Sequence, residues 1–257
     1  MEKNPKFIHL RSHSEYSLLE GALRLKKLPE LLQAMGMPAI AITDTNNMFC
    51  ALEFSEYASK AGIQPIIGCQ LDLAYDPARL GEKVRLPASL VLLAQNETGY
   101  QNLLILNSRL YLNANGERPQ LQISDLVDHA EGVICLTGGP DGPLGRLLQA
   151  GQVDKTRALI DKLKQAYGNR LYIELQRHPG DDGIVPDSER LTERGLIELA
   201  YSMDLPLVAT NDVHFAKAES YEAHDALLCI ADGSYVDQQE PRRRLTSQHY
   251  LKTPSEM

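Results

Sequence analysis

Seven short apolar runs, separated by longer stretches with a helical period, dominate this 257-residue sequence and restrict what it can fold into. The runs are Phe7–Leu10, Pro38–Ile42, Ile66–Leu73, Leu90–Ala94, Gly132–Thr137, Leu171–Leu175 and Leu207–Thr210. Short, near-continuous apolar runs suit strands buried on both faces, as in parallel sheets covered by helices. The intervening pattern predicts helices over Pro29–Met35, Phe49–Ala61, Gly99–Leu112, a short segment from Ser124, and about 141–149, 152–167, 188–203 and 219–231. Local punctuation agrees: Pro29 suits a first helical turn, Gly36 and Gly62 suit helix ends, and Thr98 and Ser124 are candidate N-caps. Strand and helix in alternation predict an α/β fold with a parallel sheet, and at this point an open doubly wound sheet and a barrel both remain open. Residues 76–88 and 113–122 read as insertions, and no internal repeat is present.

Composition narrows the function classes. The formal net charge is −8, which disfavours a general grip on phosphate backbones. The first ten residues carry no apolar signal segment, and no apolar run approaches the roughly 20 residues of a membrane span. The four cysteines form no CxxC pair, so reduced thiols in a cytoplasmic protein are expected.

In parallel α/β folds, chemistry gathers at the carboxyl ends of the strands. Reading each run to its exit gives His9, Arg11 and His13 on one face, then Thr43, Asp44 and Thr45, then Gln70 and Asp72. The later runs add Thr137, Gly138 and Gly139, then Glu174, Gln176 and His178, and finally Thr210, Asn211, Asp212 and His214. Any one of these reads equally well as a cap or turn residue; their convergence from distant positions points to a site. Imidazole and carboxylate donors suit Zn, Mn or Fe, which would activate water against a phosphoester or amide. Arg11 spoils the His-x-His pattern, because a guanidinium has no lone pair to give. The Gly138–Pro143 run lacks the lysine of a phosphate-binding loop and reads as a tight turn. Arg242–Arg244 reads as a solvated or interdomain run, and His129, His224 and His249 as structural residues.

The segments FIHLRSHSEYSLLEGA, AIAITDTNNMFCALEF, GIQPIIGCQL, TGYQNLLILNSRLY, EGVICLTGG, LYIELQRH, LPLVATNDVHF and YLKTPSEM occur in that order. Together they resemble the N-terminal PHP domain (polymerase and histidinol phosphatase) of the bacterial DNA polymerase III alpha subunit, with TGYQNL, VATNDVHF and YLKTPSEM particular to the polymerase branch. The resemblance implies a distorted (β/α)7 barrel, one PHP domain over residues 1–257, and a longer parent chain whose palm and later domains lie beyond this sequence. It implies that the parent performs template-directed DNA synthesis with Mg held in the palm.

Metal-binding members carry nine ligand positions. By resemblance His13, Asp212 and His214 match them, and Glu20 stands at a position usually held by Asp. Five positions depart: Arg11 and Thr45 replace histidines, Gln70 replaces a glutamate, Ser89 a histidine, and Gly139 a cysteine or histidine. His178 is not one of the nine. The implied reading is a degenerate site with no catalytic residue and no cofactor, in which Arg11 stands in for a metal by pairing with Asp212 or Glu20. The domain would then have a structural and docking role. Its implied partners are the remaining polymerase domains, the proofreading exonuclease subunit and, through the full-length protein, primer–template DNA, with no membrane. The alternative is a residual Zn or Mn site on His13, Glu20, Asp212 and His214, making the chain a metal-dependent 3′–5′ exonuclease or a phosphoesterase or pyrophosphatase. A free-standing small-molecule phosphatase is a third reading, opposed by TGYQNL and YLKTPSEM.

Overall fold

The computed structural model describes residues 7–75, 87–114, 116 and 118–257. Seven strands form one curled sheet: β1 (Ala39–Ile42), β2 (Gln64–Ala74), β3 (Ala88–Ala94), β4 (Leu121–Gln122), β5 (Val133–Leu136), β6 (Leu171–Leu175) and β7 (Leu207–Ala209). Their order is β1-β2-β3-β5-β6-β7, with β4 paired to β2. Among the described residues, eight α-helices connect and cover them: α1 (Leu28–Ala34), α2 (Ala51–Lys60), α3 (Glu97–Leu112), α4 (Ile123–Asp128), α5 (Pro143–Gln149), α6 (Val153–Tyr167), α7 (Asp187–Ser202) and α8 (Tyr221–Asp232).

The sheet departs from the all-parallel expectation at one strand. β3 runs antiparallel to both β2 and β5, while β1 with β2, β5 with β6 and β6 with β7 are parallel. A strand buried on both faces is apolar whichever way it runs, so its composition carries no sign of direction. The reversal has a consequence for the site: the start of β3, not its end, meets the carboxyl ends of its neighbours. The two-residue β4 falls inside the segment read as an insertion at 113–122, and most of the other expected insertion, 76–88, lies outside the described residues.

The expected first strand, Phe7–Leu10, does not form a regular strand. Residues 9–13 instead lie between β1 and the chain just past β7. Ala41 N–H donates to His9 O (2.8 Å) and Thr43 N–H to Ser12 O (2.8 Å) on one side, while His13 N–H donates to Val213 O (2.7 Å) and Val213 N–H to Arg11 O (3.1 Å) on the other. These bonds close the sheet into a distorted barrel of mixed α/β class.

Period-two alternation divides the strands between two cores. Leu90, Leu92, Cys135, Leu171 and Ile173 face outward into the helix layer, whereas Val91, Leu93, Leu136 and Ala41 fill the barrel interior with Ile66, Tyr172 and Val208 beside them. A second outward cluster, including Ile40, Ile42, Leu28, Leu32 and Phe54, packs α1 and α2 against β1. On the inward face, the same alternation carries Gln70 up from Ile66, Ser89 down from Val91, Glu174 on from Tyr172 and Thr210 on from Val208. The apolar floor of the barrel therefore ends in a polar rim.

Two helix starts differ from expectation. Asn96, not Thr98, caps α3, its side chain accepting from Gly99 N–H at 3.0 Å. Gln122, not Ser124, precedes α4 and forms a reciprocal capping box with Asp125. Thr98 and Ser124 lie inside the first turns, two residues too late to serve as caps. Gly99 also lets α3 approach the turn before β5: a Cβ there would lie 1.7 Å from Gly132 O. Asn96→Ala is expected to cost about 1 kcal/mol in urea unfolding, and Gly99→Ala considerably more, because the clash is with backbone that cannot swing away.

Candidate metal centre

Five of the seven histidines, His13, His178, His214, His224 and His249, form one network of ring contacts at the barrel mouth. The centre of the cluster is Asp212, which follows β7 in a left-handed backbone conformation (φ +48°) that is unfavourable for a residue with a Cβ. Ligand-type atoms of His13, Asp212 and His214 fall within 4.8 Å of one another. His13 Nε2 is 3.0 Å and His214 Nε2 3.6 Å from Asp212 Oδ1, and the two imidazoles stack with centroids 4.3 Å apart.

Arg11 occupies the same point. Its Nε lies 2.8 Å from Asp212 Oδ1, although the N–H does not aim along that line, so the contact is an ion pair without a hydrogen bond's angle. Its Nη1 lies 3.4 Å from both Glu174 Oε1 and Gly138 O. The residue is 3% exposed. Burial opposes the charge of Arg11, but Asp212 and then Glu174 outweigh it and raise the guanidinium pKa above its ordinary value. Burial likewise opposes the carboxylate of Asp212, yet Arg11, His214 and the hydrogen bond from His13 hold it well below the usual range.

The hydrogen-bond inventory of His13 points the same way. The Ser17 hydroxyl donates to Asp44 Oδ1 (2.6 Å) and accepts from Thr45 N–H (3.1 Å), and His13 Nδ1 lies 3.2 Å from the same oxygen. The contact of Nε2 with the Asp212 carboxylate is a hydrogen bond only with the proton on Nε2. A metal at Nε2 would have to displace that proton and also the guanidinium beside it. The residues present therefore fit a multi-metal cluster poorly.

The other sequence-derived positions converge on the mouth with different partners. Glu20 lies outside the close trio; its carboxylate pairs with Arg243 Nη1 at 3.2 Å. Burial raises its pKa, but hydrogen bonding from Thr45, the nearby His13 and Arg243 bring it below the ordinary value. Thr45 and Gln70 are bridge partners, and Gln70 Nε2 donates to Thr45 Oγ1 at 3.5 Å. Ser89 donates to Asp72 Oδ1 at 3.0 Å. Gly139 has φ +59°, and a Cβ there would lie 2.9 Å from Gln176 Oε1. Asp44 is taken up by Ser14 and Ser17, whose donors lie 2.6–2.7 Å from its oxygens, and it serves as a structural acceptor.

Sequence reasoning missed three parts of the mouth. Arg242 makes a two-pronged pair with Asp225 (2.7 and 2.6 Å), Arg243 reaches Glu20 and Asp232, and Arg244 lies 3.6 Å from Asp225. This arginine run is bound to α8 and to the site loop, where a solvated or interdomain run was expected. His224 and His249 are also part of the surround: His224 Nε2 donates to Glu20 O at 2.6 Å and His249 Nδ1 to Asp212 O at 3.0 Å. His249 stacks on His178, whose Nδ1 meets Glu189 at 2.5 Å. Third, Glu174 shares Arg11 with Asp212. Their common signal, a strand-exit or helix position one turn from an apolar run, does not separate them from caps.

The sequence matches the PHP domain family over residues 9–178. The chain belongs to the PHP domain family. Among curated relatives it is 45% identical over 98% of its length to DNA polymerase III subunit alpha of Caulobacter vibrioides, and 38% identical over 98% to the proteins of the same name in Treponema pallidum and Pseudomonas aeruginosa. It spans about a fifth of the length of these relatives (20–21%). Among solved structures, a Bifidobacterium adolescentis protein assigned as a metal-dependent phosphoesterase superposes with a TM-score of 0.52 at 15% identity, over 80% of this chain and 87% of that one. That likeness supports the PHP barrel seen here. Within the described residues, no helix is long and apolar enough to cross a membrane.

Two expectations follow from the site's charges. Arg11→Ala leaves Asp212 and Glu174 buried without their cation and is expected to cost about 3–5 kcal/mol, measured by chemical unfolding. Burial also pushes His9 and His224 from 6.5 down to about 4, against hydrogen bonds to backbone carbonyls. With folded values below unfolded ones, these histidines contribute stability that is complete above pH 6.5 and lost as pH falls toward 4. The melting temperature should fall over that interval, with net proton uptake on unfolding.

Proposed function

We propose that this chain is the PHP domain of a replicative DNA polymerase alpha subunit, one domain over residues 1–257, in which the ancestral metal centre has become a metal-free, charge-compensated core. The observation that carries this reading is Arg11 Nε at 2.8 Å from Asp212 Oδ1. A fixed guanidinium and a proton on His13 Nε2 meet the ligand atoms that a cation would need. His13, Glu20, Asp212 and His214 are then residual ligand positions with protein partners, and Arg11, Thr45, Gln70, Ser89 and Gly139 are the substitutions that disable the cluster. The 45% identity to a DNA polymerase III alpha subunit over 98% of the chain supports the parent assignment.

On this reading the barrel is a scaffold. It does no chemistry of its own and needs no cofactor; template-directed synthesis, with Mg, belongs to other domains of the parent chain. The net charge of −8 fits a domain that is not the main grip on primer–template DNA. A proofreading exonuclease subunit is the partner that such a scaffold would carry, since excision is then supplied in trans, and the cytoplasm is its compartment.

The second reading rests on the 4.8 Å grouping of His13, Asp212 and His214, enough donors for a catalytic Zn with an open position. It makes the chain a metal-dependent 3′–5′ exonuclease or phosphoesterase. Metal analysis after dialysis distinguishes the two. The scaffold reading expects well under one Zn, Mn or Fe per chain and no Mn-dependent cleavage of labelled single strands. Stoichiometric metal, with cleavage abolished by Asp212→Ala, would establish the hydrolase instead. In the full-length protein, primer extension should survive Asp212→Ala.

A further inference from the structure

Asp212 alone does not account for Arg11. Glu174, at the inward rim of β6, is 0% exposed. Its Oε2 accepts Gly138 N–H at 2.8 Å, and its Oε1 accepts the Thr210 hydroxyl at 2.5 Å and Gln176 Nε2 at 3.3 Å. Those donors are all neutral, and the cation at this carboxylate is Arg11, 3.4 Å away. Asp212, by contrast, already draws on His13 and His214. A buried carboxylate left with neutral donors only is costly, and the cost falls on whichever change removes its cation.

We infer that Glu174 is the second counter-ion that locks Arg11 into the barrel mouth, so that exclusion of metal is set by β6 as well as by the substituted ligand positions. The lock has two sides. Asp212 meets the guanidinium at Nε and Glu174 at Nη1, which holds it beside the carboxylate oxygen that His13 Nε2 also bonds. The same guanidinium keeps two buried carboxylates from facing each other without a cation. Replacing it by a neutral side chain leaves Glu174 with neutral donors only and frees the Asp212 oxygen beside His13 and His214, whose donor atoms lie within 4.8 Å of one another. One carboxylate and two imidazoles are a donor set that suits Zn²⁺ with an open position.

This inference rests on the metal-free reading above, and its test separates the two. Wild type, Arg11→Met, Glu174→Gln and the double variant are each titrated with Zn²⁺ and with Mn²⁺ alone, following melting temperature and bound metal. Wild type should show no metal-induced rise, whereas Glu174→Gln, whose Arg11 is held by Asp212 alone, should show a small one. Arg11→Met should melt lower than wild type without metal and recover when Zn²⁺ is added. Adding Glu174→Gln to it should restore much of the lost stability, because Glu174 is the acid left with neutral donors only. If Arg11→Met is insoluble, recovery of folded protein in the double variant supports the lock, and continued insolubility of the double overturns it. A double variant that melts no higher than Arg11→Met, or an Arg11→Met that melts like wild type, also overturns it. Stoichiometric metal in wild type would instead sink the metal-free reading, whatever the variants do.

Discussion

A single guanidinium between two buried carboxylates is the constraint on which the barrel mouth depends. Arg11 meets Asp212 at 2.8 Å and Glu174 at 3.4 Å, in a space where neither acid could stay ionised alone at modest cost. Metals bound by a ring of acids and imidazoles would do the same electrostatic task with divalent charge. A side-chain cation does it with one charge, fixed by covalent attachment and incapable of exchange. The surrounding substitutions match that smaller charge. Gln70 and Thr45 are neutral, and Gly139 offers no side chain, so at the centre of the mouth one arginine faces two acids, Asp212 and Glu174.

The rest of the mouth follows from the same balance. Glu20, the residual acid farthest from Arg11, finds its own arginine in Arg243, delivered by a segment that Arg242 fastens to Asp225 on α8. The histidines divide the remaining polar work. His214 and His224 both bond the carbonyl of Glu20, and His249 bonds that of Asp212, so the loops carrying the acids are tied down by rings. Burial lowers the pKa of His214, His224 and His249 alike, which suits neutral rings acting as hydrogen-bonding struts beside a cationic arginine.

Much of this was legible in the residues. Apolar runs and helix punctuation located strands β1 to β3 and β5 to β7, because burial on both faces and glycine-terminated helices leave strong local marks: Gly36 and Gly62 both take positive φ. Period two placed His9, Arg11 and His13 on one face, and the strand exits gathered Gln70, Glu174, Thr210, Asp212 and His214 with them. Local pattern did not reveal the direction of β3, since a strand apolar on both faces reads the same backwards. Nor did it reveal that residues 9–13 close the barrel through scattered backbone bonds to β1 and Val213, because no regular ladder is needed for closure. Partnerships set by chain path were equally invisible. Arg243 lies 223 residues from Glu20, and Arg11 163 residues from Glu174.

The segment that closes the barrel is also the one that carries Arg11 and His13, and this links fold to site. Its backbone bonds to β1 and to Val213 fix where those side chains can point, independently of what fills the mouth. A change at position 11 therefore alters the charge of the cavity without altering barrel closure, provided the new side chain satisfies Asp212 and Glu174. Arginine meets that condition because its fork can address two acids at once and it stays charged when buried. Lysine would present one ammonium to acids on opposite sides, and its charge is more readily lost in a dry site. The demand placed on position 11 is thus electrostatic, whereas the closure of the sheet rests on main-chain bonds that any residue there would make.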